Sequence, residues 1–140
     1  MESLKKIEEL IAEKEINAEK VKEAHINFIK NELKAQHCID NYIGDYPTFI
    51  EPVHLGENVK IGDDVLIGPN VYIGDNCEIQ DFSELRNTII FDNVIIGENL
   101  KLENCIIEKN SKLLFSNFKG FGYILKGQAD SESSLQKIKF

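Results

Sequence analysis

From Val53 onward, aliphatic residues return every sixth position. The units read VHLGEN, VKIGDD, VLIGPN, VYIGDN and CEIQDF, then, after an interruption, VIIGEN and LKLENC. Leu55, Ile61, Ile67, Ile73 and Ile79 occupy one phase of this repeat, each two residues after a smaller apolar side chain. A six-residue period maintained over successive units is the signature of a solenoid. It predicts a mainly β fold, a left-handed parallel β-helix whose triangular coils place one hexad on each side. The aliphatic residue points to the axis, and Val59, Val65, Val71, Cys77 and Ser83 fill the corners. The next residues (Gly-Glu-Asn, Gly-Asp-Asp, Gly-Pro-Asn, Gly-Asp-Asn) are types that tolerate the positive φ of a tight corner.

The phase slips at two places. Leu85 to Ile90 is a step of five, sixes resume through Ile96 and Leu102, and Leu102 to Ile107 is five again. LRNTIIFDN at 85–93 and LENCIIEKN at 102–110 match across this interval. One residue is therefore missing from the same corner of two successive coils. The pattern predicts about four coils, ending near Leu113–Leu114.

Residues 2 to about 36 follow a helical period instead. Leu4, Ile7, Leu10 and Ile11 form one stripe, and Val21, His25, Phe28, Ile29 and Leu33 form a second. Asn17, with Lys20 and Glu23 behind it, is a suitable N-cap for the second helix. A pair of amphipathic helices, joined near Ile16–Asn17, is expected to pack as a hairpin or on the rod. The resulting division is a helical segment at 1–40, the β-helix with its C-terminal cap at 41–127, and a flexible tail at 128–140. Phe115, Phe118, Phe121 and Tyr123 are the residues expected to cap the last coil.

The outward positions of the hexads differ from side to side. One side stacks His54, Tyr72, Ile89 and Ile106, with Phe91 beside them. The second shows Lys60, Glu78, Ile95 and Lys112, and the third Leu66, Glu84 and Lys101. An apolar strip on an acidic surface marks a contact, so His54, Tyr72, Ile89, Phe91 and Ile106 are expected to form an interaction face. It would hold the helices, an identical subunit or another domain.

Composition narrows the function. The 140 residues hold 24 Asp+Glu against 16 Lys+Arg, a formal charge of −8. That field opposes docking on phosphate backbones, so no nucleic-acid partner is expected. No apolar run reaches the roughly 20 residues of a spanning helix, so no membrane partner is expected. MESLKKIEEL lacks the apolar core of a secretory signal. Three cysteines at unrelated spacings fit reduced thiols and a cytoplasmic setting.

The chemistry of a catalytic site is sparse. Cys77 and Cys105 occupy inward positions, and Cys38 beside His37 has no evident orienting acid. Of the three histidines only His54 lies on the rod, which argues against a three-histidine metal site. The corner carboxylates Glu57, Asp63, Asp64, Asp75 and Asp92 are expected to be solvated turn residues. No phosphate-cradling glycine motif occurs. The residues thus assign no catalytic group, no cofactor and no metal.

With the repeats in place, a resemblance appears. FIEPVHLGENVKIGDDVLIGPNVYIGDNCEI at 49–79 resembles the hexapeptide-repeat transferases in general. SELRNTIIFDNVIIGENLKLENCIIEKN at 83–110 is similar to the C-terminal β-helix of sugar-phosphate nucleotidylyltransferases of the glucose-1-phosphate thymidylyltransferase and mannose-1-phosphate guanylyltransferase type. The similarity spans roughly 49–114. In that family catalysis resides in an N-terminal Rossmann-like domain with a GxGTR-type loop and metal-binding aspartates. Residues 1–40 carry no glycine, so no catalytic residue carries over. The resemblance implies an oligomerisation or regulatory domain, partnered by further copies of itself or by a catalytic nucleotidylyltransferase domain. Two other readings stand beside it: an acetyl-CoA-dependent hexapeptide acyltransferase with His54 as base, and a non-catalytic scaffold.

Overall fold

The computed structural model describes residues 2–40 and 42–140. Its body is a left-handed parallel β-helix with two helices at the N-terminus. Short strands stack into three parallel sheets. The first face orders Val53–Leu55, Val71–Ile73, Thr88–Ile90, Ile106–Ile107 and Tyr123–Lys126, and Gln136–Lys139 adds antiparallel to the last of these. The second runs Lys60–Ile61, Glu78–Ile79, Ile95–Ile96, Lys112–Leu113 and Gln128–Ala129. The third runs Thr48–Phe49, Leu66–Ile67, Glu84–Arg86, Leu100–Glu103 and Phe118–Phe121. Each inward aliphatic lies on its counterpart in the next coil, as Ile73 does on Ile90 and Leu85 on Leu102. Their burial closes one continuous core along the axis.

Glycine and asparagine divide the work at the corners. The positive φ falls chiefly on asparagine: 57° at Asn58 and Asn76, 65° at Asn70, 49° at Asn87 and 54° at Asn104. Asparagine tolerates this conformation because its short polar side chain can bond locally. Gly56, Gly62 and Gly74 are needed for another reason. A Cβ on any of them would fall on an aspartate Oδ1 of the coil above, at Asp75, Asp81 and Asp92 respectively. The hexads suggest a conformational role for the whole turn; the structure gives the glycines close approach and the asparagines the left-handed turn.

Those aspartates also carry a role that the hexads do not show. Asp75 Oδ1 accepts the Glu57 N–H at 2.8 Å, Asp92 Oδ1 accepts the Asp75 N–H at 2.8 Å, and Asp81 Oδ1 accepts the Asp63 N–H at 2.8 Å. Asp75 and Asp92 are exposed turn residues, as the hexads imply, and they also tie one coil to the next. Asparagine amides make parallel ties, Asn58 to Asn76 at 3.0 Å and Asn70 to Asn87 at 2.9 Å.

The helix continues for about five turns, beyond the four read from the hexads. The extra coil is hidden because Gly120 takes the inward position that stacks on Leu102. Phe118 supplies the missing bulk. A Cβ at Gly120 would lie 3.0 Å from the Phe118 ring and 3.2 Å from Leu102. Phe115, Phe118 and Tyr123 thus belong to coil walls, and Phe121 is exposed. Capping falls to the segment read as a loose tail. A 3-10 turn at Glu132–Ser134 brings Leu135 onto the core, and Gln136–Lys139 then pairs with the last strand of the first face. The boundary drawn between residues 40 and 41 falls on Asn41, outside the described residues.

Two helices, Glu2–Ile11 (α1) and Ala18–Asn27 (α2), precede the rod. Asn17 caps α2, its side-chain oxygen accepting the Lys20 N–H at 3.1 Å. The second helix runs on through a π turn, Phe28–Glu32, and a 3-10 turn, Leu33–Gln36. Both stripes meet each other and the first face in a second core: Leu4, Ile7, Ile11, Val21 and Phe28 pack with Ile89, Phe91, Ile106 and Ile124. Each large apolar side chain buried there contributes about 1.5–3 kcal/mol. The hairpin and the packing on the rod are one arrangement.

Candidate functional site

The apolar column read from the sequence is present in register. His54 lies beside Tyr72, Tyr72 beside Ile89, and Ile89 beside Ile106. Its lower part is aromatic. His54 and Tyr72 stack with centroids 4.8 Å apart and planes 7° off parallel, and Phe28 meets Tyr72 edge-on at 5.8 Å. Burial, followed by the nearby Asp92 and Asp75 carboxylates, pushes the Tyr72 hydroxyl up to about 12. The upper part is wholly aliphatic and fully buried. All five residues of the expected interaction face lie under or against the chain's own N-terminal segment, and Ile124, outside the expected set, extends the column by one coil.

His54 has a defined tautomer. Its Nδ1–H donates to the Gln36 carbonyl at 2.7 Å, which leaves Nε2 as the unprotonated nitrogen. That orientation suits a general base. His54 lines none of the four described clefts. The two other histidines serve structure. His37 Nδ1 accepts the Val53 N–H at 3.1 Å, and its Nε2 lies 2.7 Å from a Glu51 carboxylate oxygen. His25, which the sequence marks only as a stripe residue, is buried and donates from Nε2 to the Asn87 carbonyl at 2.9 Å. Desolvation lowers its pKa to about 4, against the opposing pull of that hydrogen bond.

Cys77 and Cys105 are core thiols, as their phase in the repeat implies. Burial raises both to about 11, and each donates to backbone carbonyls, Cys77 to Phe91 at 3.2 Å and Cys105 to Glu103 at 3.4 Å. Neither supplies a thiolate near neutral pH. Among the described residues no group of three or more His, Cys, Asp or Glu is placed to hold a metal ion. No helix among them is long and apolar enough to cross a membrane.

The largest described cleft, about 590 Å³, opens where the π turn meets the first coils and is lined by Ile29, Lys30, Lys34, His37, Glu51 and Asn70. A second, of about 340 Å³, lies along the third face between the columns that begin at Glu84 and Arg86. Neither brings a nucleophile, a base and an oxyanion donor together.

Fold and surface together define a class: a hexapeptide-repeat β-helix with its first face closed by helices and its interior given wholly to packing. Within that class, residues 49–115 match the family described as the GMPPB C-terminal domain. This agrees with the resemblance to β-helices of the sugar-phosphate nucleotidylyltransferase type. No curated protein matches the chain. Among solved structures, a maltose O-acetyltransferase from Clostridium difficile 630 aligns at 17% identity and a TM-score of 0.39, covering 99% of this chain and 84% of that one. A likeness at that level bears on neither activity nor substrate.

Proposed function

We propose that this chain is an accessory β-helix of sugar-nucleotide metabolism, an assembly or regulatory module that acts beside a nucleotidylyltransferase catalytic domain in the cytoplasm. The observation that carries the reading is the family match over 49–115, a stretch that contains both shortened corners. The reading is also supported by an interior of buried thiols and interlocking aliphatics. Its partners are further copies of itself and the catalytic domain. Co-expression with mannose-1-phosphate and glucose-1-phosphate nucleotidylyltransferase catalytic domains lacking their own β-helix tests it. A stable complex that co-elutes with one of them, with altered nucleotidyl transfer, is expected. Failure to associate with either overturns the reading.

One observation favours a second reading, acyl transfer. The bond from His54 Nδ1 to Gln36 leaves Nε2 free as a base. Acetyl-CoA consumption by the chain alone, abolished in His54→Ala, would establish it in place of the first.

A further inference from the structure

The third face carries a charge pattern that the other faces lack. Its strands present two outward columns. One runs Leu66, Glu84, Lys101, Lys119, and the other runs Arg86, Glu103, Phe121. Each column holds one pair of opposite charges as neighbours: Lys101 Nζ lies 3.5 Å from Glu84, and Arg86 lies 3.9 Å from Glu103, while Lys119 follows Lys101 in the first column. Along each strand the signs also alternate, Glu84 with Arg86 and Lys101 with Glu103. The four form a checkerboard. The second face has most of its charges in one column, since Gly62, Gln80, Gly97 and Leu114 precede Asp130 in the other. The first face is covered by the helices. No helix makes an extensive contact with the third face.

A checkerboard of two columns is self-complementary under one simple operation. A two-fold axis parallel to the rod, running between the columns, sets each coil against its own counterpart and exchanges the columns. Glu84 of one copy then faces Arg86 of the other, and Lys101 faces Glu103. One coil further, Lys119 faces the half-exposed Phe121, whose ring already has the chain's own Lys139 Nζ 5.8 Å from its centroid. One coil earlier, Leu66 faces the gap at Gly68, which follows Ile67 as Arg86 follows Leu85. Both charged rows are matched, and each match occurs twice, as an isologous contact requires; the first row sets Thr48 against the exposed Ile50 and adds no polar pair. The alternative, with rods antiparallel, also pairs the four charges but sets Leu66 against Lys119.

The overall field points to the same face. Two copies at −8 repel each other. Arg86, Lys101 and Lys119 against Glu84 and Glu103 leave this patch at +1, so it is a place of low repulsion for two copies to meet. The cleft of about 340 Å³ between the columns provides the recess for the facing side chains. Five strands at about 4.8 Å spacing make the patch roughly 24 Å long, at the small end for a specific interface.

We infer that the third face is a homodimer interface, with two rods packed in parallel about a two-fold axis along their length. This deepens the assembly reading by naming the surface and the partner, a second copy of this chain. Sedimentation of the full chain from 1 to 200 µM in low salt tests it. A monomer–dimer equilibrium in the micromolar range, weakened by added salt, is expected; a chain that stays monomeric at 200 µM overturns the inference. Arg86→Glu places like charges opposite each other and should weaken association at least tenfold at unchanged circular dichroism. The row exchange, Glu84→Arg with Arg86→Glu, restores complementarity in the parallel geometry alone and should recover dimerisation. In the antiparallel geometry the arginine introduced at position 84 faces Lys101 and deepens the loss, which would overturn the parallel arrangement. Arg86→Glu without effect in a chain that dimerises would remove the third face from consideration. Binding of Arg86→Glu to the catalytic domain separates the two levels: retained binding with lost self-association leaves the assembly reading in place.

Discussion

Phe82 adopts a left-handed backbone, with φ at 64°, at a corner where the next two coils have Asn99 and Asn117. Its ring is about half exposed, so little packing offsets the strain of an L side chain there. Asparagine at this position relieves that strain and can extend the amide ladder that ties Asn99 to Asn117 at 2.7 Å. Phe82→Asn should stabilise the chain by about 1 kcal/mol, within the ~1–2 kcal/mol cost of a left-handed residue, read as a rise in the urea midpoint.

His25 gives a pH signature. Its folded pKa of about 4 lies below the ordinary 6.5, so between those values the unfolded chain binds a proton that the folded chain refuses. Stability is therefore full above pH 6.5, falls as pH drops towards 4, and levels off below that. The loss is bounded at about 3 kcal/mol, from about 1.4 kcal/mol for each pH unit between the two values. Denaturation at pH 7.5 and 4.5 should show it, and His25→Gln should remove most of the difference. The stripe spacing of Val21, His25 and Phe28 in the sequence places His25 on the buried side of its helix. Its hydrogen bond to Asn87, sixty-two residues away, depends on where the helix docks.

At the scale of elements, the unit of this fold is the corner rather than the strand. Most strands are only two to four residues long, and no such strand is stable alone. Corners join coils through Asp Oδ1 to backbone N–H bonds and asparagine ladders, while glycine allows the close approach. Asp92 is the clearest test. It accepts the Asp75 N–H, and Asp75 in turn accepts the Glu57 N–H. Asp92→Ala should cost about 1.5–3 kcal/mol, the range for hydrogen bonds to charged groups, and Asp92→Asn clearly less, measured by chemical denaturation. The aspartates were visible in the hexads as turn residues, but their role as acceptors was not. The donor lies seventeen or eighteen positions earlier, and only stacking brings it within reach.

For the whole molecule, the apolar first face decides how the chain closes. Ile89, Ile106 and Ile124 form an apolar stack that water would contact if the helices were absent. The sequence showed both that strip and two amphipathic stripes seeking cover. Each half was legible, and their match was not, because a stripe reports that it is buried without reporting against what. The same limit hid the C-terminal cap. Nothing in LQKIKF distinguishes a free tail from a strand until Tyr123–Lys126 offers it an edge.

The six-residue period by itself determined the solenoid, the inward and outward sides of each strand, and the register of the stacked columns. It could do so because coil-to-coil spacing in sequence is nearly constant, so neighbours in space are fixed by arithmetic. It also carried both shortened corners. Three things were decided only by tertiary structure: the fifth turn, where Phe118 replaces the side chain missing at Gly120; the covering of the first face by the helices; and the seating of Leu135 on the final coil. Each depends on which of several apolar surfaces meet, and a one-dimensional pattern of hydrophobicity is the same for every such pairing.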